Sequence, residues 1–109
     1  MINSASSFSE TDNRLAQLSK SIAHPARIAI VRLLREHGTL NNGQIVQELP
    51  LAQATVSKHL SDLIRAGLVV AKADGTRVYY SVDKVAVKEY CGLFCQEVHA
   101  FVQDEMMAM

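Results

Sequence analysis

The sequence contains no uncharged apolar run near the roughly 18 residues that a membrane-spanning helix needs. Residues 1–10 also lack the basic start and apolar block of a secretion signal, so the chain is expected to be cytoplasmic. Glycine-rich phosphate loops, Gly-x-Ser-x-Gly motifs and paired carboxylates beside a base are missing, which predicts a protein that is not an enzyme. A chain of 109 residues matches one small domain and excludes a multi-domain enzyme.

Cysteine is scarce, with Cys91 and Cys95 the two in the sequence, four residues apart. In a chain without an export signal, two cysteines at this spacing indicate reduced thiols rather than a structural disulfide.

Net charge is also lacking, because eleven basic residues balance eleven acidic ones. Nucleic-acid-binding domains are usually basic, so the average charge argues against such a partner. The distribution is uneven, however: residues 14–77 contain nine basic and four acidic residues, a net charge of +5. A neutral protein with this segregation can still present a basic surface, although a solvated mixture of charges is the alternative.

Helical signals dominate the first half of the chain. We expect a mobile tail over residues 1–10 and one folded domain over residues 11–109. Apolar residues at helical spacing follow a start signal at Ser9 or Thr11, and His24-Pro25 interrupts that first helix. Pro25 suits the first turn of a second helix, which Gly38 ends. Apolar residues around most of its circumference predict a buried central helix.

Two closely spaced helices and a hairpin come next. A short helix must end at Pro50, and another follows within a few residues, which is helix-turn-helix spacing. In the later helix of this helix-turn-helix pair, an apolar face is formed by Val56, Leu60, Leu63 and Ile64. The opposite side is expected to expose Ala54, Lys58, Ser61, Asp62 and Arg65. Two β-rich runs, 68–72 and 77–82, flank an Asp-Gly turn, and a last helix runs over 83–104.

This order of elements predicts a mainly α fold with a small β-hairpin, α-α-α-α-β-β-α, as in a winged helix-turn-helix. In that fold the second helix of the turn enters the major groove and the hairpin touches phosphates beside it. Such a helix needs small polar side chains, hydrogen-bond donors and cations. The residues assigned to DNA contact are Gln53, Ala54, Thr55, Ser57, Lys58, His59, Ser61, Arg65 and Arg77. For His59, packing between helices is an equal alternative to a phosphate contact.

Three blocks of sequence resemble the arsenical-resistance-repressor (ArsR/SmtB) family. They are residues 21–34 (SIAHPARIAIVRLL), similar to its second helix, 51–69 (LAQATVSKHLSDLIRAGLV), similar to its recognition helix, and 74–80 (DGTRVYY), similar to its wing. The resemblance covers about residues 12 to 103. It implies a homodimeric bacterial transcriptional repressor that pairs through its first and last helices and leaves operator DNA when an effector acts.

The last helix supports a dimer from the sequence itself. It presents an apolar stripe with little remaining domain to cover it, although the stripe could instead close the core of one protomer. The residues assigned to the dimer interface are Leu15, Leu18, Tyr90, Phe94, Val98 and Phe101.

The family's usual metal sites do not transfer to this chain. Members that sense thiophilic metals carry Glu-Leu-Cys-x-Cys-Asp-Leu, where residues 39–45 here read TLNNGQI. Members that sense zinc at the dimer seam carry Asp-x-His in the last helix, which here opens with DKVAV at 83–87.

The last helix instead offers Cys91, Cys95 and His99 at successive offsets of four, which are candidate sensor residues. Thiolate and imidazole are ligands for zinc or another thiophilic ion, and a two-fold axis would double their number. Thiol redox sensing and plain packing are the alternatives. An intrahelical disulfide would be strained, which favours pairing across subunits in an oxidised form.

The sequence therefore predicts a repressor acting as a homodimer on inverted-repeat duplex DNA. A winged-helix module that binds proteins alone, a repressor without metal or redox sensing, and, more remotely, a small thiol enzyme are the alternatives.

Overall fold

The computed structural model describes residues 7–108, and within this range the fold is a winged helix-turn-helix. The helices are α1 (Glu10–Ile22), α2 (Pro25–His37), α3 (Asn42–Glu48), α4 (Gln53–Arg65) and α5 (Lys84–Ala108). The strands are β1 (Leu40–Asn41), β2 (Val69–Asp74) and β3 (Arg77–Val82). The predicted fold class is confirmed. β1 was not predicted, because a strand of two residues is too short for an alternating pattern.

The predicted helix ends are formed by local capping interactions. Ser9 is the N-cap of α1, and its side chain accepts a hydrogen bond from the Asp12 N–H. His24 caps α2 through Nδ1, which accepts from the Ala26 N–H at 3.0 Å, and Pro25 occupies the first turn. Gly38 ends α2 with a φ of +84°, a conformation that favours glycine.

The predicted tail and last helix differ slightly from the structure at their ends. Of the tail predicted over 1–10, residues 1–6 lie outside the described residues, and Glu10 already belongs to α1. The last helix begins at Lys84, one residue after the predicted start, because Asp83 caps it: Asp83 Oδ1 accepts from the N–H groups of Val85 and Ala86. It extends to Ala108, four residues beyond the predicted end at Asp104.

The hydrophobic core lies where α1, α2, α3 and α4 meet the sheet. Its largest fully buried side chains are Leu18, Ile30, Leu34, Ile45, Leu60, Leu63, Leu68, Val56 and Val69. The prediction that α2 is buried around most of its circumference is wrong. Ile30 and Leu34 are its buried residues, whereas Ile28 is 46% exposed, because α2 packs through one side against α4 and β3. Ile64, predicted on the buried face of α4, is 37% exposed.

The wing is the antiparallel hairpin of β2 and β3, in a sheet of strand order β1-β3-β2. Pairing continues to Asp74 opposite Arg77, so the loop has the two residues Gly75 and Thr76. The predicted hairpin is confirmed, but its turn lies one residue later than an Asp-Gly turn would place it. Gly75 has a φ of +65°, which suits the first loop position of a type II′ turn.

α5 extends beyond the rest of the domain. Its first half packs on α1, where the Arg14 guanidinium donates to Glu89 Oε1 at 2.9 and 3.1 Å. The radius of gyration is 16.8 Å, against about 13 Å for a compact chain of this length. The difference reflects a helix whose second half is not covered by any other part of residues 7–108. Among the described residues, no helix is long and apolar enough to cross a membrane.

Candidate nucleic-acid interface

The outward face of α4 is polar and accessible. Residues assigned to DNA contact that are exposed on this helix are Gln53, Ala54, Thr55, Ser57, Lys58, Ser61 and Arg65. The side chains of Lys58 and Arg65 are 76% and 80% exposed. Small polar residues beside two cations match the requirements of a helix that approaches base edges and phosphates.

The N-terminus of α4 is free of a side-chain cap. Its N-cap residue, Ala52, has extended backbone geometry but no side chain that can accept a hydrogen bond. The first N–H groups of a helix have no intrahelical acceptor, and the helix dipole adds partial positive charge there. This end of α4 therefore presents N–H donors that suit a phosphate oxygen.

Of the two alternatives for His59, the structure supports packing between helices and not a phosphate contact. Its side chain is 8% exposed, and Nδ1 accepts a hydrogen bond from Arg27 Nε at 3.1 Å. The imidazole also lies 4.5 Å from the His24 ring, centroid to centroid. Burial lowers the pKa of His59, and the nearby His24, Arg27 and Lys58 lower it further, against an opposing effect of Asp62.

Asp62 does not point outward as predicted, since its side chain is only 18% exposed. Its Oδ2 accepts from the Arg27 guanidinium of α2, which is 17% exposed. Arg27 also donates to the Ser21 carbonyl at 3.0 Å. These bonds fix α4 to α2, and α2 to the last turn of α1. The sequence did not reveal this role of Arg27, because its partners lie up to 35 residues away along the chain.

Asp62 also lies near the two exposed cations of α4. Lys58 Nζ is 3.6 Å from its Oδ2, and an Arg65 guanidinium nitrogen is 3.5 Å from its Oδ1. Ion pairs with one exposed partner contribute only about 0.2–1 kcal/mol. Both cations can therefore exchange this carboxylate for a phosphate at little cost.

The wing places Arg77 at its tip, as the first residue of β3 and exposed. Lys72 on β2 is exposed as well. The hairpin thus carries the cation that the sequence assigned to a phosphate contact.

The predicted dimer residues fall into three groups by their exposure. Leu18 is 0% exposed within the protomer core, so its assignment to an interface is wrong. Leu15 and Tyr90 are half-buried. Phe94, Val98 and Phe101 remain 49%, 46% and 74% exposed, as the predicted stripe requires. Val102 and Met106, at 47% and 67%, extend this uncovered region towards the end of α5.

The structure brings Cys91 and Cys95 together but leaves His99 apart from them. The two Sγ atoms are 3.6 Å apart and both thiols are exposed, so neither is a core packing residue of the protomer. A hydrogen bond with Cys91 raises the pKa of Cys95. His99 Nε2 lies 3.1 Å from Gln103 Nε2. Within residues 7–108 no group of three or more His, Cys, Asp or Glu side chains is arranged to hold a metal ion.

The fold defines a winged helix-turn-helix protein with an exposed polar face on α4, and comparison with known proteins identifies its family. A sequence profile described as "Bacterial regulatory protein, arsR family" matches residues 24–70. The Transcriptional repressor PagR of Bacillus anthracis is 41% identical over 73 residues, which are 67% of this chain and 73% of that protein. The chain belongs to the ArsR family of bacterial regulatory proteins, a family of DNA-binding transcription regulators rather than enzymes.

Other relatives agree with this assignment. The HTH-type transcriptional regulator CmtR of Mycobacterium bovis is 34% identical over 94 residues, 86% of this chain and 79% of that protein. The crystal structure of PagR has a TM-score of 0.63 and 38% identity, covering 72% of this chain and 92% of PagR. The crystal structure of a possible transcriptional regulator for arsenical resistance has a TM-score of 0.69 and 28% identity. The match covers 81% of this chain and 95% of that one.

The environment of His59 predicts a specific pH dependence of stability. Because its folded-state pKa lies below the ordinary value of 6.5, the unfolded chain binds this proton more readily. The free energy of unfolding should therefore fall as the pH drops below about 6.5, down to the folded-state pKa. Urea unfolding at several pH values should show that the free energy of unfolding falls less at low pH for His59→Gln than for the wild type. The exposed His37→Gln is the control and should keep the wild-type profile, whereas equal profiles for all three proteins would contradict the assignment.

Proposed function

We propose that this protein is a transcriptional repressor that binds duplex operator DNA with α4 in the major groove and the wing beside it. The observation that carries the proposal is the exposed polar face of α4, with Lys58 and Arg65 flanking small donors and a helix N-terminus free for a phosphate. A surface for protein binding alone would be more apolar. Among the described residues of α4, Ile64 is the one large apolar side chain that is exposed.

Two substitutions at Ala52 test the proposal. Both add an N-cap acceptor to α4, but only one of them adds a negative charge. Ala52→Ser and Ala52→Asp should each raise the free energy of unfolding by about 0.5–2 kcal/mol through a new N-cap. Only Ala52→Asp places a negative charge where a phosphate is expected, so it should weaken duplex binding in a salt-dependent manner. Thermal unfolding and fluorescence anisotropy with a mixed-sequence duplex measure the two effects.

Wild-type protein that fails to bind any duplex would refute DNA binding. Equal affinity of the two Ala52 variants would show that the N-terminus of α4 does not face DNA.

We further propose that the repressor is a homodimer joined through α5. The stripe of Phe94, Val98 and Phe101 lies on one side of the helix, since the offsets of four and seven residues return to nearly the same direction. A monomer would leave this stripe in water, whereas a second copy of α5 would bury it. A dimer would also present two copies of α4 to successive major grooves of an inverted repeat, about one turn apart.

The dimer predicts that a charge within the stripe is more harmful than the same charge elsewhere on α5. Phe101→Glu should convert the protein to a monomer and lower operator affinity, because a carboxylate in an apolar seam loses hydration. Gln96→Glu adds the same charge on the opposite side of the helix and should remain dimeric. Sedimentation velocity at micromolar concentration is the measurement. A wild-type monomer, or a dimer unaffected by Phe101→Glu, would contradict the proposed seam.

We also propose that Cys91 and Cys95 form half of an effector site for a thiophilic ion such as zinc. Two thiolates on one tetrahedral zinc ion lie about 3.8 Å apart, close to the observed Sγ separation of 3.6 Å. A disulfide needs Cβ atoms about 4 Å apart, whereas residues four apart in a helix have Cβ atoms about 5–6 Å apart. Intrahelical oxidation is therefore less favourable than chelation, and further ligands would come from the partner protomer or from water.

The two thiols lie about 60° and 100° around α5 from Phe94, beside the proposed seam. Ion binding there would shift one α5 against its partner and change the separation of the two copies of α4. A coupling of about 1–3 kcal/mol would lower operator affinity by about 5- to 150-fold. Because the pKa of Cys95 is raised and binding displaces thiol protons, ion affinity should increase with pH.

The sensor hypothesis predicts that each thiol is required. Cys91→Ser, Cys95→Ser and the double variant should bind operator DNA like reduced wild type but lose the response to zinc or arsenite. Calorimetry measures zinc affinity and anisotropy measures operator affinity. In the wild type, zinc binding should be accompanied by a loss of operator affinity. If the double variant responds to the ions as the wild type does, or if neither responds, the pair is not an effector site. A response to mild oxidant alone would favour redox sensing across subunits.

A further inference from the structure

One hydrogen bond joins the two helices of the helix-turn-helix through a residue that faces DNA in the proposed function. Asn42 Nδ2, in the first turn of α3, donates to Ser57 Oγ on α4 at 2.9 Å. Ser57 is exposed, and Asn42 is half-buried. Within residues 7–108 the Oδ1 atom of Asn42 is buried without a hydrogen-bond partner, which is unfavourable for an amide oxygen. Asn42 thus keeps its hydrogen bond to Ser57 although its own Oδ1 atom is left unpaired.

The direction of this bond determines what Ser57 can offer to a ligand. A serine hydroxyl has one proton to donate and two lone pairs to accept with. The Asn42 amide uses one lone pair, so the hydroxyl proton points elsewhere. Serine in a helix often donates to the carbonyl four residues earlier, but between residues 7 and 108 the Ser57 hydroxyl has no such acceptor. Its proton is therefore available to a partner on the exposed face of α4.

We propose that Asn42 is a positioning residue that makes Ser57 a hydrogen-bond donor to a base edge. This inference rests on the proposed entry of α4 into the major groove. A donor recognises the acceptors displayed there, namely purine N7, guanine O6 and thymine O4. It does not pair with the amino group of cytosine N4, which is itself a donor. Asn42, which need not touch DNA, would thereby influence specificity at the base that Ser57 contacts.

Replacing Asn42 by aspartate reverses the bond. A carboxylate has no proton, so Asp at this position would accept from Ser57 and leave the serine lone pairs facing outward. Asn42→Asp should therefore shift the preference at the contacted position from acceptor to amino-bearing bases. Asn41→Asp is the matched control, because it adds the same charge one residue earlier and aspartate can keep the N-cap bond to the Gln44 N–H.

The experiment is selection of bound sequences from a randomised duplex library, followed by affinity measurements on single-base variants of the selected site. Ser57→Ala should relax discrimination at one position by roughly 2- to 10-fold, the range for a single hydrogen bond. Asn42→Asp should change the preferred base at that same position, and Asn41→Asp should keep the wild-type preference. Asn42→Ala, which only frees the hydroxyl to rotate, should relax that position and provides the test if Asn42→Asp does not fold.

Several results would overturn the proposal. Wild-type base preference in both Asn42 variants would show that this residue does not orient Ser57. A uniform loss of affinity over all sequences in Ser57→Ala would place the hydroxyl on a phosphate instead of a base. A wild type that binds no duplex would refute the proposed function itself. A wild type that binds DNA, with the same base preference in the Asn42 variants, would refute the role of Asn42 alone.

Discussion

The orientation of α4, the reading helix of the proposed DNA complex, depends on the partly buried guanidinium of Arg27. This group connects α2 to His59 and Asp62 of α4 and to the Ser21 carbonyl in the last turn of α1. Removing one partner from a buried ion pair typically costs roughly 3–5 kcal/mol, because the remaining charge stays desolvated. The exposed pairs of Asp62 with Lys58 and Arg65 are much weaker. The same carboxylate therefore holds α4 firmly on its inner side and releases two cations readily on its outer side.

The elements that could be predicted from the sequence are those with local causes. The Ser9 cap, Pro25 in a first turn and Gly38 with a positive φ each act within a few residues, so their positions were predicted correctly. β1 has no such signal, because its two residues become a strand only by pairing with Tyr79 and Tyr80 of β3. The exposure of Ile28 could not be predicted either, since composition does not indicate which side of a helix finds a neighbour.

The candidate site shows the same division between local and long-range causes. The exposed residues of α4 follow from helical period, as the buried Val56, Leu60 and Leu63 define the opposite face. His59 lies next to Leu60 and four residues before Leu63, so period alone could have placed it on the buried side. Leu18 was assigned to the interface although apolar residues of α1 serve the protomer core as well as any partner. The interaction of Arg27 with α4 depends on tertiary packing that the local pattern does not contain.

α5 has two roles whose physical requirements differ. Its first half is bound to the domain through Ala86 in the core and the Arg14–Glu89 ion pair, so it moves with the reading helix. From Phe94 onward it exposes an apolar stripe that the described residues of the protomer leave uncovered, so burial against a partner would stabilise it. The two thiols lie between these parts, next to the stripe and outside the core. A ligand on the thiols would therefore act on the free half of the helix and leave the packing of the domain intact. Because α5 is one continuous helix, the proposed effector would move the fixed end of α5 together with the free half, and the domain that carries α4 would move with it.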